Sequence, residues 1–372
     1  MKPLRLVFVG AGNSLHVSFG PVLQFVEDLE VVAAVDHDQV ALERARREYR
    51  IERGYRSLDE CLDETRPDAA LIATPVWLHR EQAILCAERG VHVILEKPMA
   101  RTVAECDEII AAHQKAGTIL MIAFMKRYNR CMLRVDELIR SGAIGEVMGV
   151  RHNWDWGGYE TPLFTRHWRC DRASLGGQFQ DHGSHSVDLA HWWAGPVVSV
   201  SAAFDITEPY WEVENEYNVV CTHESGARSV HMSTRFCHSA NEEHYLIFGE
   251  TGTIELRHRS GVWAWQTPYE MYLHRNGQTR EDIQPPFGLN WLLEGKNHGQ
   301  YKMELEHFAD CIRHGREPRT GGMSGRTVIE VINAAYLSAI EKRTVGIPLT
   351  AEPDLDAFFQ TIAPRIPKRY QK

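Results

Sequence analysis

The 372-residue chain is long for one hydrophobic core and suits two domains. Its 44% hydrophobic and 24% charged content describe an ordinary globular protein, and a net charge of −9 gives no general electrostatic attraction to nucleic acid. No apolar run reaches the length of a membrane span, Met1-Lys2-Pro3 leads straight towards a strand rather than a signal sequence, and the eight scattered cysteines form no CxxC pair, so reduced thiols in a cytoplasmic protein are expected.

Leu4 to Val9 reads as an apolar-rich strand that opens into Gly10-Ala11-Gly12. There the backbone must turn tightly and approach a phosphate with no Cβ in the way. Leu15 stands where a third glycine would complete G-x-G-x-x-G, and a lone GxG is weak by itself. A second strand, Glu30 to Val35, strengthens it by ending in Asp36. A carboxylate at that strand end accepts hydrogen bonds from adenosine ribose hydroxyls and repels a 2′-phosphate. His37 and Asp38 supply no cation to receive one, so NAD is expected rather than NADP. The plainer role for Asp36 is to cap the helix starting near Gln39.

The alternation continues. Ser57-x-x-Glu60 is a capping box, Asp68 to Thr74 is a strand ending in Thr74-Pro75, and a helix over Leu78 to Arg89 stops at Gly90. Val91 to Leu95 then reads as a buried parallel strand that ends abruptly in Glu96-Lys97-Pro98. In open α/β sheets ligands bind beyond the carboxyl ends of the strands, so Lys97 points where a substrate would sit; the bland alternative is a solvated loop lysine. Thr102-x-x-Glu105 opens a helix to Gly117, and Thr118 to Phe124 is the next strand. This rhythm predicts a doubly wound parallel sheet over residues 1–125, with Gly10, Gly12, Asp36, Thr74 and Lys97 delivered to one edge.

From 126 to 372 the texture changes. After a helix around Cys131 to Arg140, Glu146 to Trp156 is a long strand with Met148, Val150, His152, Trp154 and Trp156 on one face. Glu216 to His223, Ala227 to Arg235, His244 to Phe248 and Thr253 to Leu256 follow as strands, with helices around Glu304 to Arg313 and Gly325 to Glu341. An α+β domain with a large, mainly antiparallel sheet and helices on one face is expected. Its other face needs a cover, and self-association into a homodimer or homotetramer supplies one.

Within this domain a helix is predicted to begin near Gly183 and run to Trp193, closed by Gly195-Pro196. Asp181 and His185 fall at its positive end, which favours an ionised carboxylate and a neutral imidazole, as a general base requires. Metal ligation by His182, His185, His191, Asp181 and Asp188 is a second reading, but HxxH spacing fits no common zinc site, and no metal is expected. Structural histidines satisfied by their neighbours are a third. Lys97 and a cofactor edge elsewhere in the chain favour acid–base chemistry.

Together these residues resemble the glucose-fructose oxidoreductase / inositol dehydrogenase (Gfo/Idh/MocA) family over nearly the whole chain. The likeness rests on Gly10-Ala11-Gly12 and Asp36, on Glu96-Lys97-Pro98, on Phe124-x-x-Arg127, on Trp168-Arg169 leading to Gly176-Gly177, on Asp181-x-Gly183-x-His185-x-x-Asp188, on Gly249-x-x-Gly252-x-Ile254 and on Ala334-Ala335-Tyr336-Leu337-Ser338. The resemblance implies an NAD-dependent oxidoreductase that moves a hydride between nicotinamide and a secondary hydroxyl of a sugar, inositol or derivative. It makes Lys97, Asp181 and His185 catalytic. It places Gly10, Gly12, Asn13, Asp36, Thr74, Pro75, His79, Glu96 and Lys97 at the cofactor, and Lys97, Arg127, Trp154, Trp168, Asp181 and His185 at the substrate. Trp154, Trp156, Tyr159 and Trp168 offer rings for a pyranose, although packing is the plainer role for each. Two departures stand out: Leu15, which is expected to hold the first helix slightly off the sheet, and Gln178, where family members often carry a third small residue. Redox-neutral glycosidases that use the same cofactor and non-catalytic dinucleotide-binding regulators share these features in part. A regulator has no need of the lysine, aspartate and histidine together.

Overall fold

Apolar runs separated by capping residues fold the first part of the chain into six parallel strands. They are β1 (Leu4–Val9), β2 (Leu29–Val35), β3 (Arg53–Tyr55), β4 (Ala69–Ile72), β5 (His92–Leu95) and β6 (Leu120–Ile122), in the sheet order β3-β2-β1-β4-β5-β6. That order is the doubly wound dinucleotide-binding arrangement. The computed structural model describes residues 2–155, 170–172, 176–236, 241–260, 269–285, 298–362 and 364–365. Ser57 and Thr102 cap their helices as expected, accepting from the main-chain N–H of Glu60 and Glu105 at 3.4 and 3.1 Å. Asp38, not Asp36, caps Gln39–Tyr49, accepting from Val40 N at 2.8 Å.

Compactness divides the chain into Met1–Tyr128 with Asn290–Thr327, and Asn129–Leu289 with Val328–Lys372. The second body expected from 126 onwards is therefore not one continuous stretch. Leu305, Phe308 and Ala309 of the His298–His314 helix belong to the first unit's core, with Leu6, Phe8, Leu71 and Ile94. Thr320 also joins β6, donating its hydroxyl to Ile122 O at 2.7 Å.

The second unit carries a nine-stranded sheet: β7 (Val147–Asp155), β8 (Val197–Asp205), β9 (Glu216–His223), β10 (Arg228–Thr234), β11 (Asn241–Gly249), β12 (Thr253–Ser260), β13 (Glu270–His274), β14 (Glu281–Asp282) and β15 (Val345–Gly346). The order is β14-β13-β12-β11-β7-β10-β9-β8-β15, antiparallel except where β7 pairs with β10. On its inner face Tyr245, Ile247, Leu256 and Met271 bury against Met132, Val135, Leu189 and Trp193 from two helices. Val150, His152 and Trp154 face inward as the period-two count predicted, but Met148 is 57% exposed. The register of β7 against β11 shifts between Phe248 and Gly249, which breaks the alternation at the start of β7. Across the outer face one pairing row runs Ser201, Val220, Val230, Arg151, Leu246, Glu255 and Tyr272, a mixture of apolar and charged side chains.

Candidate active site

The carboxyl ends of β1, β2, β4 and β5 bring the first unit's predicted residues to one edge of the sheet. Gly10 adopts φ +101°, and a Cβ there would lie 2.7 Å from the Ala73 carbonyl oxygen, so only glycine fits between β1 and β4. A Cβ on Gly12 would meet nothing within 4 Å, which leaves a bare backbone cradle beside the exposed Asn13. The helix that follows begins as a π-helix, Leu15–Phe19, and Leu15 is fully buried in the sheet's core. A diphosphate fits this open backbone at a helix start.

Asp36 ends β2 with its side chain 11% exposed. One carboxylate oxygen accepts from Ala11 N at 2.7 Å and the other from Asp38 N at 2.8 Å. The carboxylate thus fixes the glycine turn, and lone pairs remain on both oxygens for ribose hydroxyls. The residues next to Asp36 in sequence offer no Arg or Lys, but Arg56, directly after β3, comes close: its guanidinium donates to His37 O at 3.2 Å. Only the parallel pairing of β2 with β3 reveals this neighbour.

His79 is 1% exposed and lies between two strand ends, with Nε2 2.9 Å from Thr74 O and Nδ1 3.0 Å from Pro98 O. Burial lowers its pKa, so the neutral ring donates to one of these carbonyls. The ring therefore sits between the Thr74-Pro75 turn and the loop carrying Lys97, hydrogen-bonded to one carbonyl and packed against the other. Thr74 donates its hydroxyl to Gln82 Oε1 at 2.6 Å. Glu96 accepts from Lys97 N at 2.9 Å, and the Lys97–Pro98 bond is cis. Arg127 is buried on the short turn after β6, and its carbonyl accepts from Arg319 at 3.2 Å. Glu304, which carries no motif in the sequence, is wholly buried, and among the described residues neither of its carboxyl oxygens has a hydrogen-bond partner. Burial, and then the charge of Glu96, push its pKa well above the usual carboxylate range.

In the second unit the predicted helix is two segments in series, a π-helix Phe179–Gly183 and an α-helix Ser184–Ala194. Asp181 lies in the first and His185, 4% exposed, near the start of the second. The Ser184 hydroxyl donates to Asp181 O at 2.9 Å, tying the segments at the junction. The imidazoles of His182 and His185 lie 6.0 Å apart, edge to face. Trp154 is 3% exposed on β7 beneath the His182 ring. That places it in packing beside the candidate pair. Trp168, Trp156 and Tyr159 lie outside the described residues. Among the described residues no group of three or more His, Cys, Asp or Glu is arranged to hold a metal ion, and no helix is long and apolar enough to cross a membrane.

Comparison with known proteins accounts for this arrangement. Residues 4–124 match the model of the oxidoreductase family with an NAD-binding Rossmann fold, and residues 132–255 match the GFO/IDH/MocA C-terminal domain. A D-apiose dehydrogenase of Paraburkholderia graminis is 29% identical over 357 residues, covering 93% of this chain and 90% of that protein. The scyllo-inositol 2-dehydrogenase (NAD(+)) of Bacillus subtilis is 25% identical, covering 89% and 93%. Among solved structures, an aldose-aldose oxidoreductase from Caulobacter crescentus, complexed with glycerol, superposes with a TM-score of 0.79 at 28% identity, over 93% of this chain and all of that one. With an NAD-binding Rossmann unit followed by this C-terminal sheet, the chain belongs to the Gfo/Idh/MocA family of oxidoreductases.

Proposed function

We propose that the protein is a cytoplasmic NAD-dependent dehydrogenase that oxidises a secondary hydroxyl of a sugar or polyol. The observation that carries the reading is the edge of the parallel sheet, where a bare glycine turn, the Asp36 carboxylate and Lys97 stand beyond the carboxyl ends of β1, β2 and β5. The names of the relatives supply the substrate class. Bound NAD supplies the hydride acceptor. His185 takes the hydroxyl proton as the substrate C–H and O–H bonds break and the carbonyl forms. Asp181 orients that imidazole or a neighbouring hydroxyl. Lys97 Nζ stabilises the charge that develops on the substrate oxygen. Arg127 and Trp154 belong to the proposed substrate side.

A panel of D-apiose, aldoses, inositols and glycosides, followed by NADH absorbance, tests the reading. Accumulation of NADH with a ketone or lactone product is expected for at least one of them. Release of free sugar from a glycoside with no net NADH would replace it with redox-neutral chemistry.

The outer face of the nine-stranded sheet supports a homodimer or homotetramer. Val198 and Val220 on this sheet are each 39% exposed, and Val230 and Leu246 fall in the same outward row as Val220. Light scattering at micromolar concentration should show an oligomer, and Val220→Lys with Leu246→Lys should shift it to monomer. A wild-type monomer would refute the assembly.

A further inference from the structure

Glu214 precedes β9 in a loop where neither the spacing nor the residue type draws attention. It is wholly buried, and it meets the start of the helical segment that bears Asp181 and His185 with three acceptors in succession. Its Oε2 accepts from Gly177 N at 2.9 Å, its main-chain oxygen from Gln178 N at 2.9 Å, and its Oε1 from Phe179 N at 2.9 Å. The Tyr336 hydroxyl, from the Gly322–Glu341 helix, donates to the same Oε1 at 2.8 Å. A helix leaves its first N–H groups without partners, and one residue here answers three consecutive ones. The approach is close enough that a Cβ on Gly177 would overlap the Glu214 carbonyl oxygen. Gln178, the departure from the family pattern, takes part through its backbone alone.

We propose that Glu214 is the positioning residue of the Asp181–His185 pair: by holding the amides of 177–179 it fixes where the helical segment starts, and so where both side chains stand. This rests on the dehydrogenase reading for its consequence in turnover, but not for its structural content.

Among the described residues, the titratable groups that face Glu214 are the phenols of Tyr336 and Tyr217, both held neutral by burial. Burial pushes the Glu214 carboxyl up to about 7, against the hydrogen bonds that pull it down. A folded-state pKa above the unfolded value means that this group's contribution to stability is full at low pH and is lost as pH rises through about 7.

Glu214→Gln keeps the shape but puts an NH2 group against one of the amides. Hydrogen exchange over 176–185 should accelerate at least about tenfold, the scale of one lost hydrogen bond, with the Rossmann unit unchanged. On a confirmed substrate kcat should fall about 10- to 100-fold, while NAD affinity and KM move little. Because glutamine cannot titrate, the stability gap to wild type should narrow as pH rises through about 7. Tyr336→Phe removes the phenol's bond to Oε1 and the contacts of its oxygen with the Gly177 and Gln180 amides but leaves the Glu214 carboxylate in place; it should give the same changes in smaller measure, so it serves if the glutamine variant does not fold. Unchanged exchange over 176–185 would overturn the assignment whatever the turnover shows, and a loosening spread evenly through the second unit would do the same. Failure of the dehydrogenase reading, by contrast, appears as absent turnover in the wild type and leaves the exchange result standing.

Discussion

Lys97→Ala and His185→Ala should each lower kcat by about 10²–10⁴-fold while NAD binding is retained, the range that positioned acid–base and charge-stabilising groups contribute. The strand β5 fixes the Lys97 backbone, with the Glu96 carboxylate on its amide and the buried His79 ring packed against Pro98. Truncating the side chain should therefore remove charge without disturbing the loop. His185 is anchored in a different way, on a helix whose first amides are already satisfied. The proposed chemistry has both groups act on one oxygen, so the double variant should be less impaired than the product of the single effects. The His185 variant should also lose the rise of kcat/KM with pH that a titrating imidazole base produces. Either variant turning over substrate normally, folded and with NAD bound, would remove that residue from the chemistry.

The second large effect concerns cofactor choice. Asp36→Asn keeps an acceptor for Ala11 N–H but removes the charge that repels a 2′-phosphate, and Arg56, held on the neighbouring His37 carbonyl, is then available to pair with one. The ratio of kcat/KM for NADP over NAD should rise about 10- to 100-fold, corresponding to the 1.5–3 kcal/mol of a hydrogen bond to a charged group. Adding Arg56→Ala should cancel most of the gain. Asp36→Ala should weaken both cofactors, because it also frees the glycine turn from its anchor. A wild-type enzyme that uses NADP as well as NAD, or a ratio that Asp36→Asn leaves unchanged, would remove Asp36 from cofactor selection.

Much of this was legible in the chain because local signals and tertiary structure agree. β1 and β9 fall within the expected bounds, since each is a run of apolar or alternating residues with clear punctuation. β3 has no signature because three residues, two of them exposed, carry no period. β8 has no clear signature because serine and alanine dilute its alternation. Period-two counting says which face a residue takes, but not which strand lies beside it, so the parallel pairing of β7 with β10 could not be read. The same limit hid Arg56 and Glu214, whose partners lie far away in sequence. The π-helical turn before Ser184 has no sequence rule, and the expected helix start near Gly183 falls at its end.

The most direct measurement of the central claim is the fate of one hydrogen atom. A substrate found in the sugar and polyol panel, deuterated at the carbon that becomes the carbonyl, is incubated with the wild-type protein and NAD, and the nucleotide is analysed by mass spectrometry. The proposed chemistry predicts reduced nicotinamide one mass unit heavier than NADH, formed in step with the carbonyl product. Unlabelled nicotinamide, with the deuterium lost to water or retained in the sugar product, would contradict it.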